Sequence, residues 1–305
     1  MKFLIALPDK DYFVWQMLVQ STNFHKFGYD KDLIYIIGSV DGELNQNLYK
    51  IINSRRLNAK FFVYKDERQG VKYPSTLRPH ILSKFFKNNP EYENETFFYT
   101  DPDVIFTKYL NFDKFLKDDI WYLSDTRSYL DSKYVKSKSE KLFEEMCNIV
   151  GVNPRLVEKN DENTGGAQYI MKNINYEFWD KVYWDSENLY NHMNSTSNIY
   201  NPKHPIQSWT ADMWAVFYNA LYFGNKVKVD KDLDFSWATD NEKRWHETYI
   251  FHNAGVLGGD KNRFSKIDYQ ISPFNKDIPT YKDSATTFYV NEIKYCEKLY
   301  PELLF

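Results

Sequence analysis

Cysteine is nearly absent. The 305 residues contain two, Cys147 and Cys296, far apart in the chain. Neither a disulfide framework nor a Cys-rich metal cluster is encoded, and a reducing compartment is expected. Glycine and proline number only 11 each. No stretch reads as a flexible linker, so the expectation is one unit over residues 1–305, with a first half at 1–110 and a second at 111–305. No apolar run approaches the roughly 18 residues that a membrane span requires. The opening run, residues 3–7, stops at Pro8 and Asp9, too short for a secretory signal. Neither sign of charge dominates, with 39 Lys and Arg against 42 Asp and Glu. No general field therefore draws the chain to nucleic acid. These absences lead us to expect a soluble, cytoplasmic protein without a membrane anchor.

Aromatic residues are abundant: 25 Tyr, 23 Phe and 8 Trp. Such rings build cores, and with one apolar face and one polar tip they also stack on sugars or bases. Trp209, Trp214 and Trp237 are candidates for either use. Continuous apolar runs at 3–7, 33–37 and 97–99 read as strands covered on both faces, and 59–64 reads as a further strand. Between them, 11–26, 44–57 and 75–87 carry apolar residues at helical spacing. Strand–helix alternation over a hundred residues predicts an α/β fold with a mostly parallel, doubly wound sheet. The second half is less regular. Strands are expected at 120–123, 167–171 and 226–229, and helices at 139–150, 176–193 (one or two) and 210–222.

In sheets of this kind ligands dock beyond the carboxyl ends of the strands. After the fourth strand stands Asp101-Pro102-Asp103. Two carboxylates at i and i+2 of an extended segment project to one side, and Pro102 fixes a backbone dihedral between them. Two close carboxylates repel unless a cation joins them. Mn²⁺ or Mg²⁺ would do so while leaving coordination positions open. Asp-Pro-Asp is also good turn chemistry, and what singles this copy out is its place in the alternation. Just after the first strand, Asp9 and Tyr12 stand where a nucleotide base and ribose would lie.

The stretch Phe97-Phe98-Tyr99-Thr100-Asp101-Pro102-Asp103-Val104-Ile105-Phe106 resembles the GT-A glycosyltransferases. In that family an apolar strand ends in an Asp-x-Asp motif that holds a divalent metal and the diphosphate of a nucleotide sugar. Three later motifs follow the family's order. Asn163-Thr164-Gly165-Gly166-Ala167-Gln168 stands for the sugar- and acceptor-contacting loop. Trp209-Thr210-Ala211-Asp212-Met213-Trp214 stands for the segment carrying the catalytic base, and Ile250-Phe251-His252-Asn253-Ala254-Gly255 for the third metal ligand. Ser75-Thr76-Leu77-Arg78-Pro79-His80 looks like segments whose Arg meets donor phosphates.

The resemblance implies a GT-A-like fold and transfer of a hexosyl or pentosyl group from a nucleoside-diphosphate sugar, UDP-linked by expectation. Asp101, Asp103 and His252 would hold the metal. Ala6, Pro8, Asp9, Tyr12, Arg78, Asp101, Gly165 and Gly166 would contact the donor, and Asp212 and Gln168 would serve catalysis. Ala211 replaces the acidic partner that usually precedes the family's base, so inverting and retaining outcomes both stay open. The acceptor is a hydroxyl of unspecified class. Nucleic acid would enter only as such an acceptor, through a hydroxylated base in DNA. A nucleotidyltransferase on a similar sheet is an alternative, but no Gly-rich phosphate loop with a following Lys stands near the first strand. A non-enzymatic binding module would leave the ordered acidic and His motifs unexplained.

Overall fold

A computed structural model describes residues 1–279 and 281–305. In chain order its strands and helices begin with β1 (Lys2–Pro8), α1 (Asp11–Lys26), β2 (Leu33–Ser39), α2 (Gln46–Ser54) and β3 (Ala59–Lys65). Then come α3 (Leu77–Asn88), β4 (Phe97–Tyr99), β5 (Val104–Phe106), β6 (Trp121–Asp125), α4 (Arg127–Leu130), α5 (Ser132–Lys138), α6 (Glu140–Val150) and α7 (Pro154–Lys159). The remainder is β7 (Gly165–Met171), α8 (Tyr176–Thr196), α9 (Ala211–Tyr222), β8 (Val227–Val229), β9 (Phe235–Trp237), α10 (Glu242–Glu247), β10 (Ile250–His252) and α11 (Thr286–Leu299). The expected helix at 176–193 is a single helix, extended to Thr196. No helix among the described residues is long and apolar enough to cross a membrane.

The chain forms two compact units that interleave in sequence. One contains Lys2–Lys65, Thr100–Phe112 and Asp232–Phe305; the other contains Met1, Asp66–Tyr99 and Asp113–Lys231.

In the first unit β1, β2 and β3 are parallel, with Phe3 beside Leu33 and Leu33 beside Ala59. β2 is buried along its whole length, as its unbroken apolar run requires. β3 alternates between half-buried and exposed residues, as an edge strand does. Helix α1 packs against α2, β5 and α11, so it is buried almost all round from Val14 to Phe24. Its amide residues Gln16, Gln20 and Asn23 recur at i, i+4 and i+7 along the buried stretch, and buried amides must find partners. A second small sheet sets β10 between β5 (antiparallel) and β9 (parallel). Phe3, Phe24, Tyr29, Phe106 and Phe112 pack edge-to-face and tilted beneath it, with centroids 4.9–6.3 Å apart.

In the second unit β7 lies between β4 and β6, antiparallel to both, and β6 pairs with β8 in parallel. Helix α8 packs on α3, α6 and α9. Side chains cap the helices where the sequence supplies them: Ser139 at α6 and Asn175 at α8 accept from backbone amides. Gly151 ends α6 at φ 80°, a left-handed turn that favours glycine.

His80 on α3 carries a pH dependence. Burial, then the ammonium of Lys84, push it down to about 4, and its Nε2 accepts from the Glu67 amide at 3.4 Å. The unfolded chain would take up this proton near pH 6.5 and the folded chain only near 4. Stability is therefore undiminished above about pH 6.5 and falls between about 6.5 and about 4, on the order of 1 kcal/mol after solvent screening. The melting temperature of His80→Gln should drop less than that of the parent between pH 7.5 and pH 5; equal drops would refute the assignment.

Candidate metal centre

The turn after β4 lies in the first unit, and several groups fix it. The Thr100 amide donates to the Leu4 carbonyl (3.3 Å), and the Val104 amide closes the turn on the Asp101 carbonyl (3.3 Å). Pro102 occupies its second position, the site that a β-turn reserves for a fixed φ. Gln20 spans the turn from below: its Nε2 donates to the carbonyls of Asp101 (2.8 Å) and Val104 (2.9 Å). Tyr35 steadies Gln20 through Oε1 at 3.2 Å. One turn further along α1, Asn23 exchanges two hydrogen bonds with the backbone of Phe106, at 2.9 and 3.0 Å. The regularly spaced amides of α1 thus hold both Asp101-Pro102-Asp103 and the strand after it.

His252 reaches the same place by strand register. β10 pairs with β5 so that His252 lies beside Val104, and the Asn253 amide donates to the Asp103 carbonyl at 3.0 Å. The His252 Nε2 is 3.4 Å from Asp103 Oδ1 and 3.9 Å from Asp101 Oδ2. Trp237, opposite His252 in the parallel β9–β10 pair, stacks on the imidazole with centroids 5.6 Å apart and planes inclined by 14°. Its ring therefore helps set the orientation of this histidine.

These three residues bring one ligand atom each to within 4.8 Å of one another. Two carboxylates and an imidazole form a donor set that fits Mn²⁺ or Mg²⁺. Asp103 is only 3% exposed, and a buried carboxylate requires positive charge nearby. The existing neighbours provide some of it. Burial by itself would raise the Asp103 pKa, but the Lys266 ammonium and the His252 imidazole hold the carboxyl well below the usual carboxylate range. Lys266 is ion-paired with Asp103 Oδ2. Burial disfavours the Lys266 charge, yet Asp103, Tyr12 and Asp101 more than offset this, and its pKa is raised.

The candidate nucleotide-contacting residues fall in the same unit. Ala6 is buried within β1 and Pro8 ends that strand. Both oxygens of Asp9 are engaged by Asn45, with the Asn45 amide at 2.7 Å and its side-chain Nδ2. Asn45 in turn caps α2. Asp9 thereby ties the end of β1 to the start of α2. Burial raises the Tyr12 pKa, and the charges of Lys266 and Asp103 act on its hydroxyl.

The second unit holds the remaining candidates. Arg78 is ion-paired with Asp212 Oδ2, and the Tyr73 hydroxyl lies 2.6 Å from Asp212 Oδ1. Tyr73 stacks on Tyr190 at 4.5 Å. Gly165 and Gly166 open β7, and the protein itself fills the space their side chains would take. A Cβ on Gly165 would lie 2.5 Å from Leu123 Cβ and from the Ser124 carbonyl; one on Gly166 would lie 2.5 Å from the Tyr169 hydroxyl. Ala167 follows at φ 66°, a left-handed conformation that costs a residue with a Cβ about 1 kcal/mol. Gln168 is fully buried, and its amide donates to Ser124 Oγ at 3.2 Å. Of the three tryptophans, Trp214 belongs to the core, its Nε1 donating to the Leu130 carbonyl at 3.0 Å, whereas Trp209 is 63% exposed. Lys266, Gln20 and Asn23 were not singled out in the sequence. For the two α1 residues the visible signal was their spacing.

No family model matches the chain, and no curated protein does. Among solved structures the chain is similar to the bifunctional glycosyltransferase WbbM in its apo form. The identity is 10% and the TM-score 0.46, over 99% of this chain and 51% of that one. The chain thus spans about half the length of that protein. It is similar to the galactosyltransferase LgtC in complex with donor and acceptor sugar analogues, at 11% identity and a TM-score of 0.45 over 100% of both chains. An active-site mutant of LgtC matches at 12% identity with a TM-score of 0.41, over 84% of this chain and 88% of that one.

Proposed function

We propose that the chain is a metal-dependent glycosyltransferase that moves a hexosyl or pentosyl group from a nucleoside-diphosphate sugar, UDP-linked by expectation, to an acceptor hydroxyl. One observation carries this reading: His252, distant in sequence, converges with Asp101 and Asp103 at the end of an alternating β/α segment. A divalent cation bound there would supply positive charge for the diphosphate leaving group. The chain's own residues support the chemistry around it. Gln20 fixes the Asp101–Val104 turn, Trp237 orients His252, and Ala6, Pro8, Asp9 and Tyr12 are our candidates for contact with the base and ribose.

In the second unit we assign Arg78 and Asp212 to substrate contact, whereas Gly165, Gly166 and Gln168 are buried against the chain itself. Asp212 meets a guanidinium at one oxygen and a phenol at the other. A carboxylate engaged in this way is better placed to accept hydrogen bonds from sugar hydroxyls than to remove a proton, which favours a holding role over that of general base.

The test is thermal stabilisation by a panel of nucleotide sugars with and without Mn²⁺. A donor at a hundred times its Kd should stabilise the fold by about 2.7 kcal/mol, a rise on the order of 5 °C in Tm, and only when Mn²⁺ is present. No response to any nucleotide sugar, or pyrophosphate release from a nucleoside triphosphate, would overturn the proposal.

A further inference from the structure

Lys266 places a cation at the candidate metal centre. Its ammonium is ion-paired with Oδ2 of the buried Asp103, while His252 Nε2 lies 3.4 Å from Oδ1 of the same carboxylate. Both oxygens of Asp103 are thus engaged within the chain, and a metal ligated through Asp103 would compete for them. An ammonium and a divalent cation on one carboxylate repel each other at short range. We propose that Lys266 is the resident cation of the Asp101–Asp103–His252 cluster, and that metal enters by displacing its ammonium from Asp103. The inference rests on the metal-dependent reading above.

The surroundings of Lys266 allow such an exchange without unfolding. Lys266 opens a single short turn, Lys266–Asp268, in the long connection between β10 and α11. Both flanks of that turn are anchored. The Tyr269 carbonyl accepts from Trp15 Nε1 at 2.9 Å, the Phe264 amide donates to Thr286 Oγ1 at 3.0 Å, and the Phe264 and Tyr269 rings stack at 5.1 Å. Asp268 accepts from the Gly259 amide at 2.9 and 3.0 Å. The main chain is held, so the movable part is the lysine side chain, which is 22% exposed. A flexible four-carbon arm carrying a compact charge can leave a carboxylate for solvent by rotamer change alone. On this account Lys266 satisfies Asp103 in the metal-free protein and sets the threshold for metal entry.

Mn²⁺ binding, followed by the electron paramagnetic resonance signal of free Mn²⁺, tests this on the full chain. Lys266→Met should bind Mn²⁺ tighter than the parent by roughly tenfold or more, the order of one desolvated charge pairing. Lys266→Arg, which retains a cation, should not gain affinity. A second measurement uses the unaltered protein: acetic anhydride should label Lys266 slowly without metal and several-fold faster with Mn²⁺, read by peptide mass spectrometry. If Lys266→Met does not fold, the labelling result decides. Unchanged or weaker Mn²⁺ binding by Lys266→Met, or labelling indifferent to Mn²⁺, would overturn the exchange while leaving the metal site standing. Absence of Mn²⁺ binding by parent and variant alike would overturn the metal-dependent reading and the exchange with it.

Discussion

Replacing Asp103 by Asn is expected to reduce metal-dependent nucleotide-sugar turnover by about 10²–10³-fold, the scale of losing one preorganised charge at a reacting diphosphate. Mn²⁺ affinity should fall by at least about a hundredfold, since even groups that merely support a ligand are worth 10–100-fold. Asn keeps the size and the acceptor of Asp103 but removes the charge that both Lys266 and the metal require. Asp101→Asn should cost less, because its side chain is more exposed and it lies farther from His252 Nε2, 3.9 Å against 3.4 Å for Asp103. The sign of the pH effect also follows. With its folded pKa held below the unfolded value, Asp103 contributes stability above about pH 4 and loses it as the pH falls further. Acid sensitivity between pH 5 and 8 therefore belongs to other groups. Turnover of Asp103→Asn at the parental rate, with Mn²⁺ affinity intact, would remove the metal from the mechanism.

The sequence exposed one half of this site and concealed the other. The runs at β1, β2 and β3 are long, apolar and separated by helical spacing, and α1 occupies the expected residues Asp11–Lys26. The position of Asp101-Pro102-Asp103 followed from that alternation. β5, β9 and β10 are three residues each, too short to show a period, so nothing local announced the small sheet that brings His252 to Asp103. That residue came from the resemblance alone. Lys266 lies 163 residues from Asp103, and Gln20 lies 81 from Asp101. No local rule reports a contact at that distance. Asp232–Phe305 returns to the unit formed by β1, β2 and β3, and returns of this kind leave no mark in composition. The role of Gly165 was also open in the sequence, since a glycine that lets a sugar approach and one that lets the chain approach itself look alike.

Gly165→Ala should distinguish these two uses. The added Cβ would fall 2.5 Å from Leu123 Cβ and 2.5 Å from the Ser124 carbonyl oxygen, with Val229 Cγ2 at 3.3 Å. The first two contacts involve β6 close to its backbone, which cannot turn aside as a flexible side-chain end would. β6 and β7 must then separate, or the register of Gly165 against Asp125 must shift. Overpacking of this kind costs about 1–3 kcal/mol and sometimes more. For a chain of this size that corresponds to a Tm loss of roughly 2–5 °C. Loosening of β7 would also disturb the strained Ala167 and the bonds of Ser124 Oγ to Gly166 and Gln168 on either side of it, so the loss should lie at the upper end. Thermal unfolding of the metal-free variant, without any nucleotide sugar, is the decisive measurement, because no ligand contributes to it. A large drop there assigns Gly165 to strand packing. An unchanged Tm combined with a weakened response to nucleotide sugars would instead assign the glycine to the ligand.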